Sequence, residues 1–192
     1  MYWVLYWIVR VFVSLFFRLE VTGLSNIPKS GPAIFAVNHI SGFDPPTVGA
    51  VIPRKIHFMA KTELFDNAIL RTLLRWGQAY PVQRNRPDRR AIRHSLQLLA
   101  DGEAILMFPE GHRSDSGELQ QARAGVIYLA QKSGCPVVPI GVAGSYRFRH
   151  SVAIKIGPSF HISREVSKEA AQNLVMEQIS GLVNGGQMRQ KL

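Results

Sequence analysis

The sequence predicts an α/β fold: a single domain with a largely parallel central sheet flanked by helices, plus an N-terminal membrane-associated helix. Three observations predict it. Short apolar runs bounded by turn residues alternate with helical patterns between residues 33 and 156, the signature of helices layered on a parallel sheet. A chain of 192 residues without repeats or low-complexity stretches suits one domain with a sizeable core. The first 19 residues, MYWVLYWIVRVFVSLFFRL, are apolar except for Arg10, Ser14 and Arg18, a surface poorly suited to water.

Taken in order, that opening segment comes first. As a helix of about 18 residues it would be about 27 Å long, just short of the roughly 30 Å hydrocarbon core of a bilayer. Arg10 would cost roughly 2.5 to 3.5 kcal/mol at the bilayer centre, whereas at an interface its charge can snorkel to the headgroups. We therefore expect a helix lying in one leaflet, with the aromatic residues at positions 2, 3, 6 and 7 at the lipid–water boundary. A core helix and a spanning helix are the alternatives. A cleaved secretory leader is disfavoured, because no basic residue precedes the apolar run and no A-x-A-like site follows it.

VTGLSNIPKSG then reads as a turn-rich linker, which puts the boundaries at 1–19 for the apolar helix and 23–192 for the α/β domain. Expected strands are AIFAV (33–37), IHFMA (56–60), AYPV (79–82), AILMF (104–108), PVVPIGV (136–142) and VAIKI (152–156). Helices are expected near 45–52, 63–76, 88–101, 121–132 and 168–183. Asp88 is placed to cap the third of these and Gly102 to close it. Asp44 followed by Pro45 reads as an N-cap and a first-turn proline.

Hydrophobic content of 46% with 19% charged residues excludes a disordered chain, and a net charge of +10 points to an anionic partner. Nucleic acid, an acidic membrane surface and a phosphorylated small molecule all satisfy it. From Arg71 to Arg93, seven arginines stand against one acid, Asp88, a run that serves as a solvated face or meets anionic headgroups or an acidic acyl donor. The lone Cys135 excludes an internal disulfide and reads as a small buried hydrophobe. Histidines 57, 94, 150 and 161 show no ligand spacing, and H-E-x-x-H, C-x-x-C and P-loop patterns are missing from the sequence, so no metal or organic cofactor is expected.

In α/β sheets, ligands gather outside the carboxyl ends of strands. NHISGFDP (38–45) follows the first expected strand and FPEGHRS (108–114) the fourth. An aspartate five residues after His39 can hold one imidazole nitrogen so that the other takes a proton; it can equally be a cap beside a core histidine. The pair alone leaves both readings open.

NHISGFD resembles the N-H-x4-D motif of the glycerolipid acyltransferases, the family that includes the bacterial 1-acylglycerol-3-phosphate acyltransferases. FPEGHRS is similar to that family's F-P-E-G-T-R-S, and GQAYPVQR, CPVVPIGV and GELQQARAG resemble its intervening and following blocks, in order, from about residue 23 to 160. The resemblance implies that His39 is a general base, Asp44 its orienting partner, and Glu110, Gly111 and Arg113 the site of a phosphorylated acceptor. It also implies that Lys61, in MAKTEL, and Arg84, in GQAYPVQR, touch that phosphate. Arginine suits the task because its planar fork binds phosphate bidentately.

A thioester is already activated, so such an enzyme need only deprotonate a hydroxyl and hold it against the carbonyl; the sequence accordingly has no G-x-S-x-G elbow, and Ser41 reads as a loop residue. Three positions depart from the family pattern. His112 replaces a threonine, Gly77 to Arg84 is one residue longer than usual with glutamine for aspartate, and Ala122-Arg123 replaces Phe-Lys.

The expected reaction is acyl transfer from acyl-CoA or acyl-carrier protein to a lysophosphatidic-acid-like acceptor, giving phosphatidic acid at an anionic membrane surface. The expected location is the cytoplasmic face of the cell membrane, with peripheral or monotopic attachment through the first helix. The same chemistry on glycerol 3-phosphate or a lysophospholipid is the nearest rival. A non-enzymatic basic protein that binds membrane or nucleic acid is the rival from another class, and the sequence carries no helix-turn-helix or RNA-binding signature; no nucleic-acid partner is expected.

Overall fold

The computed structural model of the chain describes residues 1–83, 88–113 and 119–187. Its strands are β1 (Arg18–Thr22), β2 (Ala33–Val37), β3 (Ile56–Lys61), β4 (Ala79–Val82), β5 (Ala104–Met107), β6 (Val137–Gly144) and β7 (Ser151–Ile156). The helices are α1 (Tyr2–Phe16), α2 (Asp44–Val51), α3 (Ala68–Trp76), α4 (Arg89–Ala100), α5 (Ala124–Ser133) and α6 (Lys168–Gln187). The seven strands form one sheet in the order β1-β7-β6-β2-β5-β3-β4. Its pairings are parallel except for the antiparallel hairpin β6–β7.

Two hydrophobic layers follow from the period-two alternation of strand side chains. Phe35 and Val37 of β2 pack with residues of α1 and α2 on one face. Ile34 and Ala36 pack with α4, α5 and α6 on the other. All four are fully buried, which is why the central strands read as unbroken apolar runs.

Several elements differ from the sequence reading. The first helix stops at Phe16 and not at residue 19, because Phe17 turns extended and leads into β1. That strand escaped notice: RLEVT is an edge strand that alternates exposed and half-buried positions and has no apolar run. The helix expected over 63–76 is split. A short 3-10 turn spans Thr62–Phe65, and Asn67 then caps α3, its side chain accepting from the Ile69 and Leu70 amides at 3.0 Å each. The helix expected from residue 121 starts at Ala124. The Asp88 cap is present as expected, accepting from the Arg90 and Ala91 amides at 3.0 Å, and Gly102 follows α4 in the left-handed region at φ 81°.

Helix α1 presents one buried and one exposed face. Tyr6, Val13 and the following Phe17 are buried, and the helix packs on α2. The rows 3-7-11-15 and 4-8-12-16 point outward, every residue in them apolar or aromatic and each between 40% and 60% exposed. Arg10 does not reach out from this face; its guanidinium donates to the Ala50 carbonyl at 2.8 Å, near the negative end of α2. At 15 residues α1 is about 22 Å long, and no described helix is long and apolar enough to cross a membrane.

One contact sets how closely α6 approaches the sheet. A Cβ on Gly141 of β6 would lie 2.7 Å from Cβ of Leu182 and 3.0 Å from the Val183 nitrogen. Gly141→Ala should therefore destabilise the fold by about 1 to 3 kcal/mol, the cost of overpacking, measured as a fall in denaturation midpoint. An unchanged midpoint would show that α6 is free to shift.

Candidate active site

Strands β2 and β5 are neighbours, with Ala36 opposite Met107, so the loops that follow them emerge side by side. Asn38 sets the point of departure. Its buried side chain donates to the Val142 carbonyl at 2.8 Å and accepts from the Val142 amide at 2.7 Å, extending the β2–β6 ladder by one side-chain rung. The chain turns away from the sheet at the next residue, His39.

Asp44 organises that turn. Its Oδ2 lies 2.7 Å from Nδ1 of His39 and accepts from the Ile40 and Ser41 amides, also at 2.7 Å. The residue is fully buried and His39 nearly so. Asp44 is thus not the N-cap expected from sequence: Phe43 holds that place, Asp44 is the first residue of α2, and its carboxylate folds back over the loop. An ionised carboxylate only accepts hydrogen bonds, so this contact selects, for the neutral ring, the tautomer with its proton on Nδ1 and its lone pair on Nε2. Phe108 stacks on the imidazole at 4.0 Å, 22° from parallel, and fixes the ring plane.

Behind the pair, Asp44 Oδ1, Thr47 Oγ1 and the Tyr146 hydroxyl are buried without closed hydrogen-bond geometry. Burial, followed by the nearby Asp44 carboxylate, pushes the pKa of Tyr146 up. The phenol therefore stays protonated, a potential donor facing the carboxylate.

Glu110 ties the second loop to the first. Its Oε1 accepts from the His39 backbone N–H at 3.0 Å and its Oε2 from the Gln120 N–H at 3.1 Å, and the residue is 1% exposed. The family resemblance implies that it belongs to the site of the phosphorylated acceptor. The structure gives it a bracing position, with both oxygens taken by backbone donors. Gly111 adopts φ 75°, and a Cβ there would sit 2.5 Å from Cδ of Arg123, so only glycine lets Arg123 lie across the loop. From there Arg123 donates through Nε to the Glu110 carbonyl at 3.1 Å, and its Nη2 lies 3.2 Å from His112 Nδ1. Two of the positions that depart from the family pattern, His112 and Arg123, are therefore partners.

His39, Lys61 and Arg113 line one cavity of about 600 Å³. Lys61 is exposed at the end of β3 and lies 3.2 Å from Glu63; the Arg113 guanidinium lies over Gly42, 3.7 Å from where a Cβ would be. The rest of the lining is mostly apolar and includes Leu5 and Val9 of α1, Phe58, and Leu70, Leu73 and Leu74 of α3. The cavity thus combines an imidazole and two cationic side chains with a mostly apolar wall. Arg84 lies outside the described residues. Sequence reasoning assigned no task to Asn38, Phe108, Arg123 or Tyr146; of these, Asn38 and Phe108 stood inside quoted motifs, and Arg123 had been marked as a substitution.

A family model described as Acyltransferase matches residues 18–143. The 1-acyl-sn-glycerol-3-phosphate acyltransferase of Bacillus subtilis is 32% identical over 136 residues, covering 70% of this chain and 67% of that protein. A chloroplastic 1-acyl-sn-glycerol-3-phosphate acyltransferase of Arabidopsis thaliana is 31% identical over 133 residues, 68% of this chain but 37% of the plant protein. The crystal structure of the 1-acyl-sn-glycerophosphate (LPA) acyltransferase PlsC from Thermotoga maritima matches with a TM-score of 0.79 at 25% identity, over 96% of this chain and 79% of that one.

The brace at Glu110 makes a direct test possible. Glu110→Gln keeps the shape but sets an amide N–H₂ against one of two backbone N–H donors, and leaving a buried donor unmet costs about 1 to 3 kcal/mol. The variant should unfold at correspondingly lower denaturant. Wild-type stability would mean that the two loops hold together without it.

Proposed function

The chain belongs to the acyltransferase family, and from that premise we propose that it transfers a fatty acyl group from a thioester donor, acyl-CoA or acyl-carrier protein, to the free hydroxyl of 1-acylglycerol 3-phosphate. The product is phosphatidic acid, a precursor in phospholipid synthesis. The observation that carries this reading is the cavity: His39 and the cations Lys61 and Arg113 share it with apolar residues of α1 and α3, a lining that suits a ligand with a phosphate head and an acyl chain. The names of the relatives from Bacillus and Thermotoga point to the same acceptor.

In the mechanism that follows, Nε2 of His39 accepts the proton of the acceptor hydroxyl as its oxygen attacks the thioester carbonyl. Asp44 holds the imidazole in the required tautomer and offsets the charge of the imidazolium. The tetrahedral intermediate then collapses, breaking the C–S bond, and the departing thiolate takes the proton back from His39. No protein nucleophile enters. Arg113 and Lys61 hold the acceptor phosphate, and Phe108 keeps the ring aligned with the hydroxyl.

Membrane attachment belongs to the same reading. The outward rows of α1 would bury their apolar surface in one leaflet, at about 25 cal/mol per Å², and leave the cavity, which α1 lines, open to lipid. On this reading the enzyme works as a peripheral or monotopic protein at the cytoplasmic face of the cell membrane.

Two variants test the chemistry. General-base catalysis contributes about 10² to 10⁴ in rate, so His39→Ala should lose at least that much turnover while remaining folded; near-normal turnover would sink the mechanism. A charge-assisted hydrogen bond is worth about 1.5 to 3 kcal/mol. Arg113→Ala should accordingly weaken use of the phosphorylated acceptor by roughly ten- to a hundredfold and change far less the slow reaction of an acceptor without phosphate. Equal losses on both acceptors would move Arg113 to the donor or to site structure. The acceptor itself is identified by assaying 1-acylglycerol 3-phosphate against glycerol 3-phosphate and lysophospholipids with both donors.

A further inference from the structure

The segment Ser145–His150, SYRFRH, joins β6 to β7, and nothing in the mechanism uses its tip. The Arg147 carbonyl accepts from the His150 amide at 3.0 Å, a four-residue turn with Phe148 and Arg149 at its centre. Arg149 has φ 62°, a left-handed conformation that turns of this kind ordinarily give to glycine or asparagine. The turn is also fixed to the junction of α1 and β1: the Arg149 amide donates to the Phe16 carbonyl at 2.7 Å and the Arg18 amide to the His150 carbonyl at 3.0 Å. A strained arginine and an aromatic at a tethered tip are poor choices if water is the only neighbour.

Phe148 is 70% exposed. It meets Phe16 edge-on at 5.8 Å, and Phe16 stacks on Phe12 at 4.3 Å, so the outward apolar face of α1 continues onto the turn. Around it Arg18, Arg147, Arg149 and His150 are all exposed, with Glu20 the exposed acid on the same strand as Arg18. The turn stands at the carboxyl end of β6, the end of the sheet where β2 releases His39. Tyr146, just before it, contacts Phe17 at 5.1 Å and Phe43 at 5.8 Å, and Phe17 contacts Phe43 at 5.6 Å. An aromatic bridge thus runs from the turn to the loop that carries Asp44.

We propose that this turn is a second membrane anchor, specific for anionic phospholipid: Phe148 enters the boundary between headgroups and acyl chains while Arg18, Arg147 and Arg149 bind headgroup phosphates. The inference rests on the proposed seating of α1 in a leaflet and adds a second point of attachment, beyond the end of the helix. Two points define an orientation where one helix leaves the molecule free to roll about its axis, and the bridge through Tyr146 and Phe43 carries that orientation to the mouth of the site. Charge complementarity selects the lipid: each arginine at an anionic surface is worth about a fivefold gain in partitioning.

The test uses the full chain, co-sedimented with phosphatidylcholine vesicles and with vesicles containing about a third phosphatidylglycerol. Arg147→Ser with Arg149→Gly removes two charges, and the glycine suits the positive φ, so the fold is preserved. This pair should lose roughly 25-fold in partitioning to the anionic vesicles and change little on neutral ones. Phe148→Ser should lose about tenfold on both. Turnover on a short-chain, water-soluble acceptor should match wild type, and inorganic phosphate at moderate concentration should not displace the protein from vesicles.

Wild-type binding that both sets of variants retain would overturn the anchor while leaving the α1 reading intact. Wild-type protein that binds neither vesicle would overturn both. Loss of turnover on the soluble acceptor in step with loss of partitioning would also overturn the anchor, assigning the turn to the reaction itself.

Discussion

Three donors converge on one oxygen, Oδ2 of Asp44, and the rest of the site depends on that convergence. Two are backbone amides of the loop, and the third is the His39 ring nitrogen, all at 2.7 Å. One buried carboxylate therefore decides the path of the chain between β2 and α2 as well as the tautomer of the histidine. Structure and chemistry cannot be separated at this residue. Glu110 repeats the device one loop away, joining the backbone of His39 to that of Gln120. The two carboxylates act as the posts around which both loops are wound, and parallel pairing of β2 with β5 brings the posts together.

The same economy appears in α1. Its inner face completes the hydrophobic layer over β2 and closes the wall of the cavity, and its outer face offers a continuous apolar strip. The domain covers only the inner of these two apolar faces. Leu5 and Val9 of the same helix line the cavity together with Leu70, Leu73 and Leu74 of α3.

How much of this was legible in the sequence follows from where the information resides. Strands β2, β3, β5 and β6 carried it locally, as apolar runs, because burial on both faces of a parallel sheet demands them. β1 did not, since an edge strand can be half polar and still pair. Asn67 sat inside a helical pattern, and only its cap bonds reveal that the pattern is broken there. His39, Asp44, Gly111 and Arg113 were legible through motif resemblance, and the carboxyl-end rule for α/β sheets placed them in one region.

The task of Glu110 was not legible. It depends on an amide 71 residues away in the chain, and backbone donors leave no mark on composition. The same holds for His112 and Arg123, each noticed as a departure from the family pattern; that they meet at 3.2 Å is a fact of the folded chain.

The central claim is direct transfer: a single base, His39, passes the proton while the acyl group moves from thioester to acceptor without resting on the protein. Initial-rate kinetics with both substrates varied, together with rapid quantification of thiol released on mixing enzyme and donor alone, test it most directly. The account predicts intersecting double-reciprocal lines and no stoichiometric burst of thiol before acceptor is added. Parallel lines with a burst of one thiol per enzyme would reveal a covalent acyl-enzyme and contradict it.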